Sequence, residues 1–162
     1  MQKEAIKKIK TYVIAILIPL AVGAASALIT RGNMNIYDEI KTPPLSPPGI
    51  LFPIVWTILY ILMGISSAII YLNKEKAKKP AEKGLSYYAL SLAFNFVWSI
   101  LFFNFRIYLA SFAWLLVLLA LIICTILSYK KASRLAAYLQ IPYAVWVIFA
   151  GCLNLAIWFL NK

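Results

Sequence analysis

The chain has 162 residues, of which 64% are hydrophobic and only 13% are charged, and its formal net charge is +11. A soluble domain is about 45–50% apolar, and a chain of this length cannot hide so much apolar surface from water. The composition therefore excludes an ordinary soluble protein and predicts a protein of the lipid bilayer. In that setting the positive charge indicates lysine-rich loops, and a nucleic-acid partner is not expected.

Five segments contain no Asp, Glu, Lys or Arg, and each has the roughly 20 residues that a membrane-spanning helix needs. They cover residues 11–29, 51–72, 84–103, 107–128 and 137–160. Lipid offers the backbone no hydrogen-bond partner, so each segment must satisfy its own amides and carbonyls as a helix. We therefore predict one all-α membrane domain over residues 1–162, built as a bundle of five transmembrane helices.

The first span has a second interpretation, as a signal peptide. It follows a basic start, MQKEAIKKIK, and ends near the small residues GAASA, which resemble a cleavage site. Cleavage would leave four helices. The apolar core of a signal peptide has about 7–15 residues, however, and this segment is longer. Gly23 and Ala27 equally favour close packing of a retained helix against another helix.

Lysine and arginine are concentrated on one side of the predicted bundle. With five spans, the N-terminus and the second and fourth loops share a side, which holds twelve of the 16 basic residues: Lys3, Lys7, Lys8, Lys10, Lys74, Lys76, Lys78, Lys79, Lys83, Lys130, Lys131 and Arg134. The other side holds Arg31, Lys41, Arg106 and Lys162. Because cytoplasmic loops are enriched in Lys and Arg, we expect a cell-membrane protein with a cytoplasmic N-terminus and an outside C-terminus.

Several kinds of chemistry are excluded by residues that the chain lacks. There is no His, and no predicted span contains a carboxylate or an ammonium group. Ion-coupled carriers usually keep such a charge at membrane depth, so a coupled antiporter is not expected. Cys124 and Cys152 lie in different spans and are interpreted as small packing residues. We therefore predict no metal site and no acid–base or nucleophilic set of catalytic residues.

Aromatic and amide side chains in three spans recur at intervals of three or four residues, which places them on one face of each helix. The second span has Phe52, Trp56, Tyr60, Met63 and Ser67, the third has Ser91, Asn95, Trp98 and Phe102, and the fifth has Tyr143, Trp146 or Val147, Ala150 and Asn154. One interpretation is interfacial aromatic belts and amide bonds between helices. The other is a cavity with flat aromatic walls, which suits a large, planar, mostly apolar ligand.

Three sequence motifs, which follow one another along the chain, resemble those of the translocator protein family, also called tryptophan-rich sensory proteins. The first loop, TPPLSPPGILFPIVW, matches the family pattern at Pro43, Pro47, Pro48 and Trp56, with Tyr37 ahead of it. The third span contains FNFVWSILFF and the fifth contains PYAVWVIFAGCLN, which are similar to the helix motifs of the family. Together the motifs and the five spans cover nearly the whole chain.

The first loop is also where the chain departs from the family pattern. Ile36 and Leu45 stand where the family usually has Trp, and Thr42 lies near its usual Lys. The prolines fix their own φ and bias the preceding residues toward extended backbone, so the loop is stiff and loses little entropy on closing over a ligand. Pro44 and Pro48 also suit the start of the helix that follows.

The resemblance implies a sensor or translocator that binds porphyrins, other tetrapyrroles and similar flat hydrophobic ligands in a pocket between helices, capped by the proline-rich loop. It implies no cofactor other than the porphyrin as ligand. The expected contact residues are Tyr37, Pro47, Trp56, Tyr60, Asn95, Trp98, Trp146, Ala150 and Asn154. We expect Trp56 and Trp146 to stack on the macrocycle. The alternative is light- and oxygen-dependent degradation of porphyrin through the same two tryptophans.

The resemblance also implies a homodimer in the membrane. Gly23 and Ala27 are four residues apart in the first span and form a small-residue ridge, which suits either a dimer interface or packing inside one bundle. Because the resemblance favours the dimer, Gly23→Leu is expected to separate the dimer and leave ligand binding mostly intact.

The distribution of Lys and Arg generates a test of topology. Single cysteines introduced in the first loop and near Lys78 in the second should differ in access to a membrane-impermeant thiol reagent added outside the cell. We expect labelling in the first loop only, because the lysine-rich side is predicted to be cytoplasmic. Labelling near Lys78 from outside would contradict this orientation.

Overall fold

The computed structural model describes residues 2–34, 39–44 and 46–162. Within these ranges the regular elements are helices, and no strand occurs. The α-helices are α1 (Gln2–Thr30), α2 (Leu51–Leu72), α3 (Lys78–Ser99), α4 (Tyr108–Lys130), α5 (Arg134–Leu139) and α6 (Ile141–Leu160). Five helical stretches are long and apolar enough to cross a bilayer, which confirms the predicted all-α bundle of five spans.

The ends of three spans differ from the sequence prediction. α1 begins at Gln2, so the lysine-rich start belongs to the first helix. α3 begins at Lys78, and it continues into a wider π-helical turn over Ile100–Asn104. The fifth span consists of α5 and α6, which are separated at Gln140. Pro142 explains this break, because proline lacks an N–H and is tolerated in the first turn of a helix but not in its interior.

The helices form a closed ring in the order α1, α2, α5 with α6, α4 and α3. α1 packs on α2 and α3, while α4 packs on α3 and on α6. The apolar core fills the centre of the ring, and its most completely buried members include Met63, Ile70, Leu118, Ile122 and Ile157. The ring therefore turns the aromatic faces of the second, third and fifth spans toward one shared core.

α1 and α2 come into backbone contact at Gly64. Pro19 lies inside α1 and has no N–H, so the Ala15 carbonyl lacks the donor that an α-helix normally supplies. A Cβ at Gly64 would lie 2.7 Å from the Ala15 oxygen and would also meet the Ile16 Cα. Gly64 has no Cβ and therefore lets the backbone of α2 come close to α1 at the freed carbonyl.

α2 is joined to the fifth span by a buried hydroxyl and a buried amide. Ser66 Oγ donates to the Ala136 carbonyl at 2.8 Å and accepts from Gln140 Nε2 at 3.2 Å. Both Ser66 and Gln140 are buried. These bonds hold the break between α5 and α6 against α2, and they fix where α6, with Tyr143 and Trp146, begins.

The α1–α2 contact predicts that Gly64→Ala destabilises the bundle by about 1–3 kcal/mol, the usual cost of overpacking. The new methyl group would meet backbone atoms of Ala15 and Ile16, which cannot rotate away. Gly151→Ala is the matched control, because a Cβ there meets Phe112 Cε2 at an ordinary 3.8 Å. Thermal unfolding of both variants in detergent measures the difference, and equal midpoints would contradict the contact.

Candidate functional site

A cleft of about 420 Å³ lies between α1, α2 and α3, at the end of the bundle where α2 begins. Small-molecule sites have volumes of roughly 300–1,000 Å³, so the cleft is large enough for one. It is lined by Leu20, Gly23, Ala24, Ala27, Thr30 and Met34 from α1 and the turn after it, by Phe52, Pro53, Trp56, Thr57 and Tyr60 from α2, and by Trp98, Ser99 and Phe103 from α3 and its π-helical turn. The wall from α2 and α3 is thus rich in aromatic rings, and the wall from α1 is rich in small residues.

Trp56 is the centre of an aromatic cluster at this cleft. Its ring centroid lies 5.4 Å from that of Tyr60, with 28° between the planes, and 6.4 Å from that of Trp98. Toward the fifth span, its ring meets Tyr143 at 6.1 Å and Trp146 at 6.5 Å, both edge to face. The aromatic faces of the three spans therefore meet at Trp56.

Tyr60 is held by contacts from two other helices. Asn95 Nδ2 of α3 donates to the Tyr60 hydroxyl at 2.8 Å, and both residues are buried. Gly23 of α1 lies so close to the Tyr60 ring that a Cβ would collide with it. The position of Tyr60, and with it the wall next to Trp56, therefore depends on both α1 and α3.

This contact corrects the expectation for Gly23. Its small size serves packing inside the bundle, which is one of the two interpretations that the sequence leaves open, and the same residue lines the cleft. Ala27 lines the cleft as well. Gly23→Leu is therefore expected to disturb the cleft itself. The homodimer stays a prediction.

Some of the predicted contact residues line the cleft, and others lie behind it. Those that line it are Trp56, Tyr60 and Trp98, and those buried in the bundle centre are Asn95, Ala150 and Asn154. Among the described residues, no hydrogen-bond partner is found for Trp98 Nε1, Asn95 Oδ1 or either polar side-chain atom of Asn154. Buried polar atoms are nearly always paired. The bundle centre therefore retains unused donors and acceptors.

Trp146 lies on a different surface from the cleft. It lines a groove between α2 and α6 together with Val55 and Phe149. The planes of Trp56 and Trp146 are 89° apart, so the two rings cannot both lie flat on one planar macrocycle. The expectation of joint stacking is corrected accordingly: Trp56 faces the cleft, and Trp146 supports Trp56 edge to face.

The first loop is tied across the end of the bundle next to the cleft. The Lys41 N–H donates to Asn161 Oδ1 at 3.0 Å, and the Lys41 carbonyl accepts from Asn161 Nδ2 at 2.8 Å. Glu39 forms an ion pair with Arg106 at 2.9 Å. Arg106 has a left-handed backbone with φ of 54° and lies two residues after the π-helical turn, which ends at Asn104. These bonds connect the loop to both the α3–α4 corner and the end of α6.

The predicted site and the observed cleft differ most at the two predicted loop contacts and at the wall from α1. Pro47 is half-buried and is not among the described residues that line the cleft. Tyr37 lies outside the described residues. The wall from α1 was not predicted as part of the site. The signal that could have found it is the spacing of Gly23 and Ala27, which marks a helix face that accepts a close neighbour.

Comparison with known proteins confirms the family resemblance. The sequence profile of the TspO/MBR family matches residues 15–159, a range that includes every residue lining the cleft. The chain is 36% identical over 156 residues to the tryptophan-rich protein TspO of Chlorobaculum tepidum, covering 96% of this chain and 98% of that protein. It is 35% identical over 147 residues to the translocator protein of Bos taurus, with 88% and 85% covered. It is 33% identical over 139 residues to the protein CrtK of Rhodobacter capsulatus, with 86% and 85% covered.

Proposed function

Because the chain belongs to the TspO/MBR family, we propose that it is a membrane sensor or translocator that binds porphyrins or similarly flat hydrophobic ligands in the cleft between α1, α2 and α3. The observation that carries the proposal is the position of Trp56, whose ring lines the cleft and stacks with Tyr60. Flat aromatic faces bind planar apolar molecules by offset stacking and by removing apolar area from solvent.

The wall from α1 supports a planar ligand. Gly23, Ala24 and Ala27 contribute at most a methyl group each to the cleft, which leaves room beside the aromatic rings. Thr30 and Ser99 add hydroxyl groups to the same lining. A ligand with a flat apolar body and polar groups at its edge matches such a lining, because small-molecule sites are mostly apolar with a few polar groups.

The recognition of the porphyrin would rest on its ring and not on a central metal. The chain contains no His, the residue that holds haem iron in globins and peroxidases. Trp56 and Trp98 both line the cleft and would supply aromatic contacts to the macrocycle. We therefore propose binding through the faces of the macrocycle.

Light- and oxygen-dependent degradation of porphyrin is the alternative function, and it would depend on the same cleft. Trp56 lines the cleft, whereas Trp146 lines the groove between α2 and α6. Analysis of porphyrin recovered from light and dark samples separates the two functions. Intact porphyrin supports binding alone, and breakdown products that require both light and Trp56 support degradation. Flux of porphyrin into vesicles distinguishes a translocator from a sensor.

We further propose a cellular location and an oligomeric state for this multi-pass protein. The lysine-rich end supports a cell-membrane location with a cytoplasmic N-terminus and an outside C-terminus. A homodimer is proposed on family membership alone. Because Gly23 packs on Tyr60 within the bundle, we do not base the proposed dimer on Gly23.

Substitution of Trp56 tests the proposed site. Trp56→Ala should weaken protoporphyrin binding roughly 5–150-fold, since stacking on a flat ring is worth about 1–3 kcal/mol, and Trp56→Phe should lose less. Trp158→Ala is the control, because Trp158 is near the end of α6 and packs beside Phe159. Quenching of tryptophan fluorescence during titration measures affinity. A folded Trp56→Ala variant that binds as tightly as the parent would place the site elsewhere.

Substitution of Gly23 tests the wall from α1. Gly23→Leu should weaken protoporphyrin binding by roughly tenfold or more, because overpacking costs about 1–3 kcal/mol. The new side chain must displace the Tyr60 ring, which lines the cleft. Ala25→Leu is the matched control, since Ala25 is an exposed residue of α1 outside the cleft lining. The same fluorescence titration applies. Equal affinity of the two leucine variants would show that α1 is not a wall of the site.

A further inference from the structure

A second concave surface lies between α3 and α4, at the lysine-rich end of the bundle and away from the cleft. Its volume is about 370 Å³. Three lysines line it: Lys79 and Lys83 lie at the start of α3, and Lys131 directly follows the end of α4. Tyr87 and Ser128 add hydroxyl groups to the same lining. We call this surface the lysine groove.

Among the residues that the structure describes, no carboxylate forms an ion pair with the ammonium groups of the lysine groove. Within the described ranges, the ion pairs are Lys8 with Glu4 and Arg106 with Glu39, and both lie elsewhere. Glu82 is an exposed neighbour on α3 and forms no ion pair with the groove lysines. Three like charges in one groove repel each other, and an anion bound between them would offset that repulsion.

Away from the lysines the lining of the lysine groove becomes apolar. Gly84 allows α3 to approach α4, since a Cβ there would lie only 2.6 Å from Tyr129 Cδ1. Leu127 and the half-buried Cys124 continue the lining along α4, away from Lys131. Lys131 follows Cys124 by two helical turns, so the lining extends roughly 10 Å from the charged mouth toward the hydrocarbon region.

We propose that the lysine groove binds an anionic phospholipid from the leaflet at the lysine-rich end. The lipid phosphate would lie among Lys79, Lys83 and Lys131, and one acyl chain would follow Leu127 and Cys124. Basic pockets between transmembrane helices recognise anionic headgroups in this way. A groove with lysines at one end and an apolar lining beyond them fits an amphiphile, whereas a soluble anion would contact the lysines alone. The inference does not depend on the porphyrin proposal, because the two sites share no lining residue.

The first test measures lipid retention. The protein is equilibrated in nanodiscs with equal amounts of phosphatidylglycerol and phosphatidylcholine, released into detergent, and its bound lipids are counted by native mass spectrometry. The parent should retain phosphatidylglycerol preferentially. Replacing Lys79, Lys83 and Lys131 together with Gln should reduce that preference by tenfold or more, since each lysine near a membrane surface contributes roughly fivefold. The corresponding triple Arg variant keeps the charge and should keep the preference.

A matched control removes the same amount of charge from another surface. Lys3, Lys7 and Lys10 are exposed residues of α1, and their triple Gln variant should retain the preference of the parent. Equal loss in this control would show a general charge effect and overturn the proposal. Unchanged preference in the groove variant would overturn it too. Displacement of the lipid by inorganic phosphate would assign the site to a soluble anion and reject the lipid.

A second measurement uses a native residue as the reporter. The chain has two cysteines, so Cys152→Ser leaves Cys124, on the floor of the lysine groove, as the single thiol. Phosphatidylglycerol should slow alkylation of Cys124 by N-ethylmaleimide relative to phosphatidylcholine, and the triple Gln variant should abolish this protection. Equal alkylation rates of the parent thiol in the two lipids would mean that no chain occupies the groove.

Discussion

The cleft lies beside the point at which the backbones of α1 and α2 come into contact, at Gly64. Pro19 withholds the usual backbone donor from the Ala15 carbonyl, and α2 comes close to α1 beside that carbonyl and the Ile16 Cα. Glycine permits this approach, and about two turns further along α1, Gly23 meets the ring of Tyr60. From Gly23 to the end of α1, the side of α2 that faces α1 carries large aromatic rings, and the two backbones no longer touch as they do at Gly64. The rings hold the helices apart, and the space beside them is the cleft.

The shortage of hydrogen-bond partners in lipid explains the polar bonds between helices. Asn95 donates to Tyr60 at 2.8 Å, Trp114 Nε1 donates to the Phe94 carbonyl at 2.8 Å, and Ser66 donates to a carbonyl of α5 at 2.8 Å. The Trp114 and Ser66 bonds join helices that are neighbours in the ring, whereas the Asn95 bond crosses the ring from α3 to α2. A polar side chain that faced hydrocarbon would lose its partner, so each of these bonds favours one partner helix over the alternatives.

The spans were predictable because a charge is costly inside a bilayer, which makes a charge-free length of about 20 residues a reliable signal. Their ends were less predictable, since a helix can continue past the bilayer through a residue such as Lys78, whose helix propensity is good. The spacing of aromatic residues identified the aromatic wall. It could not predict which helix packs against each face, so Gly23 and Ala27 were equally compatible with a dimer interface and with packing inside the bundle. The 89° between Trp56 and Trp146 depends on side-chain rotamers, which a spacing pattern does not contain.

Two routes into the cleft differ in the interactions that a ligand would have to break. At the end of the bundle, the first loop is tied by two hydrogen bonds to Asn161 and by an ion pair to Arg106. Along the side of the bundle, Ala24, Ala27 and Thr57 line the cleft and are exposed on the outer surface of α1 and α2. A flat apolar molecule partitions into the bilayer before it meets the protein, because burial of its apolar area is favourable there. It can then reach the cleft from the lipid without breaking any bond of the loop. For the proposed ligand, the lipid-facing side at Ala24, Ala27 and Thr57 would therefore be the entrance that breaks no bond of the described loop residues.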